Sequence, residues 1–182
     1  MLDLNGASVT IDALGCQKEI AWQIIDRGGD YALVVKDNQP KLLDAIQEHL
    51  TKVLDGRPES ESDDYHTDET GHGRHELRTY TVCPAPERSK AEWPGLEVVG
   101  MCHHERTMQG KTTAQVRYFI GSKRAQARYY GRALRHHWDI ENWLHWQMDV
   151  TFGEDAVLAT EISHFLLLPS GRKPGFRDRG SR

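Results

Sequence analysis

Val9-Thr10-Ile11-Asp12-Ala13-Leu14-Gly15-Cys16-Gln17 contains a short apolar strand with an aspartate, Asp12, at its end. The next two segments decide the fold. Ile20, Ala21, Ile24 and Ile25 recur at helical spacing between Gln17 and Arg27, so an amphipathic helix comes next. Gly28-Gly29 stops it, because glycine tolerates left-handed C-cap geometry. Tyr31-Ala32-Leu33-Val34-Val35 is a continuous apolar run of strand length, the pattern of strands covered on both faces in parallel sheets. Strand, helix and strand in this order predict a βαβ unit, and the chain reads as α/β.

Outward from that unit, Asn38 reads as the cap of a second helix with Pro40 in its first turn. Leu42, Leu43, Ile46, Leu50, Val53 and Leu54 supply its apolar face, and Gly56-Arg57-Pro58 ends it. The stretch 55–69 holds Asp55, Glu59, Glu61, Asp63, Asp64, Asp68 and Glu69 against Arg57 alone, so it reads as a mobile loop. Stretches 77–82, 96–99 and 114–120 are β-rich and separated by Pro84, Pro86, Pro94-Gly95 and Gly110, which predicts an antiparallel ribbon. From 125 to 148 there is no proline and one glycine, Gly131, so helix is expected. The end from Pro169 is rich in Gly, Pro, Arg and Ser and reads as disordered. The organisation is therefore a core at 1–55, a loop and β-rich insertion at 56–122, a C-terminal helix region at 123–155 and a divergent, disordered tail at 156–182.

The bulk numbers narrow the function classes. At 182 residues, 38% hydrophobic and 27% charged, the chain is of ordinary globular composition. No apolar run approaches the ~20 residues of a membrane span, so a cytoplasmic protein with no membrane partner is expected. Cys16, Cys83 and Cys102 form no Cys-x-x-Cys pair, which argues against a disulfide framework and a zinc knuckle. A net charge of −4 does not favour nucleic-acid binding. The sign is uneven, however: the tail carries Arg172, Lys173, Arg177, Arg179 and Arg182 against Asp178.

Asp12 is the sharpest candidate. Ligands of open α/β sheets bind outside the carboxyl ends of strands, where an aspartate can hold a divalent metal. The bland reading is a helix N-cap or turn residue. Glu141 is a second carboxylate, in Arg135-His136-His137-Trp138-Asp139-Ile140-Glu141-Asn142-Trp143-Leu144-His145-Trp146. On a helix, His137, Glu141, His145 and Asp149 form one polar stripe. On spacing alone that stripe is more simply a solvated face, and a zinc ion held by His and Glu at i, i+4 is a further reading. Two such carboxylates and a third can hold two metals ~4 Å apart for phosphoryl transfer. Lys36, Asn38 and Gln39 follow the next strand and are candidates for a phosphate, a backbone or a base edge; a helix cap beside a solvated lysine explains them equally well. Arg74 and Arg78 lead into the ribbon, where they could reach DNA phosphates.

Four blocks in order carry a resemblance: Val-Thr-Ile-Asp-Ala-Leu-Gly-Cys-Gln-Lys-Glu-Ile from Val9, Tyr-Ala-Leu-Val-Val-Lys-Asp-Asn-Gln-Pro from Tyr31, His-Gly-Arg-His-Glu-Leu-Arg-Thr-Tyr from His72, and His-His-Trp-Asp-Ile-Glu-Asn-Trp-Leu-His-Trp-Gln-Met-Asp-Val-Thr-Phe-Gly-Glu-Asp from His136. Over about residues 2–155 the chain resembles the H-repeat-associated transposases of insertion sequences, a branch of the DDE transposases. The resemblance implies a partial RNase H-like fold with a β-rich insertion before the final catalytic helix. It implies cleavage and joining of DNA, at element ends and target, with Mg²⁺ or Mn²⁺. Asp12 matches the second catalytic aspartate and metal ligand, and Glu141 the glutamate, with His137 and Asn142 flanking it as DNA contacts. In the wider group's Tyr/Arg/Glu/Lys signature, the arginine position here is His137 and the lysine position Met148. The family's first aspartate lies upstream of where this chain begins, and the Phe-Gly-Glu-Asp block is followed by an unrelated end. The expectation is a fragment truncated at both ends and inactive alone. A homo-oligomer is compatible with it. The rival readings are a non-catalytic DNA-binding or assembly-interfering fragment, and a zinc protein built on the His/Glu stripe.

Overall fold

A computed structural model describes residues 3–56, 62–71, 73–138 and 166–169. The βαβ unit forms as its pattern dictates. Strand β1 (Ala7–Ile11) is followed by a single 3₁₀ turn at Ala13–Gly15, helix α1 (Lys18–Asp26) and strand β2 (Asp30–Val35). β2 lies parallel to β1, with Thr10 opposite Ala32. Gly28 ends α1 at φ +75°, the left-handed geometry that a side chain would strain. Helix α2 (Pro40–Leu54) comes after β2.

The ribbon is longer than its apolar segments alone suggest. Strands β3 (Asp63–Gly71), β4 (Arg74–Pro84), β5 (Val98–Met108) and β6 (Lys111–Gly121) pair antiparallel in sequence, with the short helix α3 (Glu87–Glu92) between β4 and β5. Gln109-Gly110, at φ 51° and 75°, makes the tight β5–β6 turn, the two-residue geometry that suits the twist of the flanking strands. β6 then pairs with β2, so ribbon and βαβ unit share one sheet of order β3-β4-β5-β6-β2-β1-β7. Strand β7 (Leu166–Pro169) lies antiparallel on β1.

Period-two alternation divides the sheet into two faces. On one, Val9, Ile11, Leu33, Val35, Val99 and Ile120 pack against α1, α2 and Trp93. On the other, Ala32, Val34, Tyr80, Val82, Cys102 and Phe119 pack against Ala127, Tyr130 and Leu134. Those three belong to helix α4, described over residues 127–138. The molecule is mixed α/β in three layers, with β2 buried on both sides as its apolar run predicts. The three cysteines are free and buried, and burial pushes the thiols of Cys16 and Cys83 up to about 12.

Three expectations are corrected. The cap residue of α2 is Gln39, with Pro40 opening the helix. Asn38 instead donates its side-chain amide to the carbonyl of Ala13, at 2.6 Å. Half of the acidic stretch is not loop but β3. Its acids have partners on β4 and α4: Asp68 meets His75 at 2.7 Å, Thr81 donates to Asp64 at 2.6 Å, and Asp63 accepts from the backbone N–H of Ala127 at 2.6 Å. Charge that reads as solvated disorder is here cross-strand complement and helix cap. Finally, part of the tail expected to lack order is β7.

Candidate functional site

Asp12 stands directly after β1, on the carboxyl edge of the two parallel strands. The face it occupies is set by alternation. Ser8 bonds the Tyr129 hydroxyl, and Thr10 Oγ1 lies 3.2 Å from His137 Nδ1, so even-numbered residues of β1 face α4. Asp12 is next in that series. Its backbone is extended (φ −69°, ψ 171°), and its carboxylate makes no hydrogen bond to the turn it precedes. The N-cap explanation of this aspartate therefore fails on geometry. The carboxylate is about a quarter exposed (26%) and lies 3.6 Å from Lys36 Nζ, which leaves the end of β2 on the same edge.

The loops after β1 and β2 are fastened together. Besides Asn38, Gln39 donates its side-chain amide to the Cys16 carbonyl at 2.9 Å. Each of these two predicted DNA contacts thus gives an amide N–H to the loop that holds Asp12. These bonds fix that loop, and Lys36 remains more than half exposed.

Arg78 and His137 are not on the surface where the sequence pattern sets them. Arg78 is 5% exposed and bonded to the equally buried Glu76, with Glu69 a further 3.0 Å partner. His137 is 2% exposed against β1. Arg74, by contrast, is solvent-accessible, with Nε 3.3 Å from Glu76. Glu141 and Asn142, like His145 and Asp149 of the polar stripe, lie outside the described residues.

Among the described residues, no three His, Cys, Asp or Glu side chains stand close enough to hold a metal ion. Asp12 is a single carboxylate with a lysine beside it. That donor set alone does not fit a divalent ion, which takes several oxygens.

Sequence reasoning singled out Arg74 and Arg78 but missed the charged cavity they share with other arginines. A cavity of about 650 Å³ opens on the α4 face of the ribbon. Arg74, Arg78, Arg106, Arg117 and Arg135 line it, with Glu76 as the acid among them. The signal was present in the alternation: Cys102, His104 and Arg106 are two apart on β5, and Arg117 sits opposite Cys102 on β6. Burial, then the charge of Arg78, pushes the His104 imidazole below its ordinary range, so it is neutral.

No helix among the described residues is long and apolar enough to cross a membrane. Residues 1–166 match the family model described as "Transposase DDE domain". The chain is 38% identical over 162 residues to "H repeat-associated putative transposase YhhI" of Escherichia coli K12, covering 85% of this chain and 42% of that protein. It is 39% identical over 162 residues to "Putative transposase YncI" of Escherichia coli O157:H7, covering 86% and 41%. An uncharacterized protein of the dhlA 3′ region in Xanthobacter autotrophicus is 35% identical over 127 residues, 69% of this chain and 42% of that one. The chain thus spans less than half the length of these relatives. No solved structure matches it. With the matched family model covering nearly the whole chain and Asp12 standing uncapped at a parallel strand end, the chain belongs to the DDE-domain transposases.

Proposed function

We propose that this chain is part of the catalytic domain of a transposase that cuts and joins DNA in the cytoplasm, built on an RNase H-like core, with Asp12 and Glu141 as two of its metal-binding carboxylates for Mg²⁺ or Mn²⁺. The observation that carries the reading is Asp12: a strand-end carboxylate on the α4 face, not used for capping, in a chain of the DDE family. The direction of α4 supports Glu141 as its partner. Tyr129 meets Ser8 and His137 meets Thr10, so the helix advances along β1 toward Asp12. A residue four positions beyond His137 shares its face when a helix continues.

Lys36 has a role in this reading. At 3.6 Å it neutralises a carboxylate that would otherwise stand alone. It is exposed enough to swing to a DNA phosphate, because the pair lies in high dielectric and is worth little.

The chain alone is expected to lack strand-transfer activity, since no three metal-binding side chains come together among the described residues. The test is Mn²⁺ binding to the 182-residue chain, monitored by electron paramagnetic resonance. Weak binding that disappears in both Asp12→Asn and Glu141→Gln is the expected result. Unchanged binding in both variants would show that these carboxylates are not ligands. Robust Mg²⁺-dependent joining of DNA by the purified chain would overturn the inactivity. The non-catalytic DNA-binding reading is favoured by one observation of its own, the arginine-lined cavity.

A further inference from the structure

The ribbon projects past the parallel strands, and the register says in which direction. β2 ends at Val35 opposite Tyr118, so β6 from Arg117 back to Lys111 extends beyond the carboxyl edge where Asp12 stands. On the α4 face, that extension carries Arg117 on β6, His104 and Arg106 on β5, and Arg74 on β4. Asp12 is one position past Ile11, which pairs with Leu33, and is therefore level with Val34 and Phe119. Arg117 is two residues farther along β6 and two strands across, a separation on the order of 10 Å from strand spacing and rise. The cavity and Asp12 are thus neighbours on one face.

The cavity is built rather than incidental. Glu76 at its floor is 8% exposed and holds Arg78 in place. Arg106 Nε and His104 Nε2 are buried atoms with no hydrogen-bond partner among the described residues. They stand 3.9 and 4.0 Å from Glu76 Oε1, too far to bond it. Both belong to residues that line the cavity. At its side, the Arg117 guanidinium lies 4.4 Å from the Trp138 ring centre, a cation–π contact that fixes the arginine while leaving its N–H edge available. Arg78 and Arg135 pair with Glu69, which leaves Arg74, Arg106 and Arg117 around the buried carboxylate of Glu76 in a concave site. Guanidinium groups that line a concavity match phosphate oxygens in pairs.

We infer that this cavity takes a backbone phosphate of a DNA strand that runs across the ribbon face toward Asp12. The inference rests on DNA being the partner, and it assigns the contact to Arg106 and Arg117, with Arg74 at the rim. Arg78 and Glu76 are the scaffold that positions them.

The test measures binding of the 182-residue chain to a short DNA duplex and to its single strand by fluorescence anisotropy, in EDTA, over a range of salt. Arg106→Gln and Arg117→Gln are compared with Arg88→Gln. Arg88 is 92% exposed on α3, and Trp93, which comes directly after that helix, packs on the opposite face of the sheet. The expected result is about a tenfold weakening in each cavity variant, with the slope of log affinity against log salt reduced by about one. Arg88→Gln should change binding less than about twofold, since one distant charge is screened. Thermal melts matching that of the parent chain establish that the variants fold, and Arg106→Lys should restore part of the binding. Equal weakening in all three Gln variants, or no DNA binding at low salt, overturns the inference. So does an outcome in which inorganic phosphate stabilises the chain through Arg106 while DNA binding ignores it. Because EDTA removes the metal, failure here leaves the Asp12 reading standing, and loss of Mn²⁺ dependence leaves this one standing.

Discussion

The two ends of the sheet are built on opposite principles. Around β1 and β2, alternate residues are apolar on the α1/α2 face and small or weakly polar on the α4 face, and the charges sit at the strand ends. In the projecting half of β4, β5 and β6, an acid and several arginines occupy the same inward positions that Val34 and Phe119 fill in the core. Apolar packing stabilises without direction, whereas the Glu76–Arg78 pair stabilises only while both partners are present. The core end is therefore tolerant and the ribbon end is specific. That is the division expected where one end carries the fold and the other meets a ligand.

The comparison breaks most visibly at Glu76. Glu76→Gln removes the buried one of the two carboxylates paired with the Arg78 guanidinium and should cost about 3 kcal/mol in chemical denaturation. A cost near zero would mean that the ribbon is not organised by this pair. Next is Gly131, inside α4. A Cβ there would meet Tyr65 at 2.8 Å and Tyr80 at 3.0 Å. Gly131→Ala gains about 1 kcal/mol of helix propensity and loses more to overpacking. The variant should melt lower than the parent, by an amount on the order of 1–2 kcal/mol. A higher melting temperature would show that α4 does not press on the ribbon. Asp63→Ala removes the cap on Ala127 and should cost about 1 kcal/mol. Asp12→Asn, whose carboxylate meets the exposed Lys36 at 3.6 Å, should change stability by less than about 0.5 kcal/mol. A large effect would make Asp12 structural.

Acid sharpens the contrast between the two ends. Burial pushes the Glu76 carboxyl up, but the hydrogen bond and charge of Arg78, with help from Arg74 and His104, outweigh it and hold the group below the ordinary carboxylate range. Burial and Arg78 hold His104 below the ordinary imidazole range. In both cases the unfolded chain binds the proton more readily, so stability rises with pH. It should be complete near neutrality. It should begin to fall as pH drops below about 6.5, where unfolded His takes up its proton, and fall further below about 4.3, where unfolded Glu does. Denaturation across this range should show the loss, and Glu76→Gln should flatten its lower part. A parent chain equally stable at both ends of the range would refute the charge network.

The core was legible in the sequence because burial on both faces leaves a signature in residue type. The run Tyr31 to Val35 can scarcely be anything but a covered strand, and Asp12 at the end of β1 was placed by the same pattern. β3 was not legible. Strand propensity there is weak, and what holds it is a row of cross-strand partners on β4 that no local pattern displays. Arg78 misled for a related reason. An arginine beside a glycine-rich turn reads as a surface contact, and only the register that brings Glu76 and Glu69 to it shows that it is interior. The arginines of the cavity are scattered over β4, β5, β6 and α4, and only pairing collects them.

β3 is also an outer margin of the sheet, and it displays Asp63, Asp64, Asp68 and Glu69. An open strand margin invites another strand to join it, and a row of carboxylates discourages that. The same row repels a polyanion. On the proposed reading, a DNA strand would be steered away from that margin and toward the arginines of the α4 face. The acidity that lowers the net charge of the whole chain would then act as a fence beside a basic path.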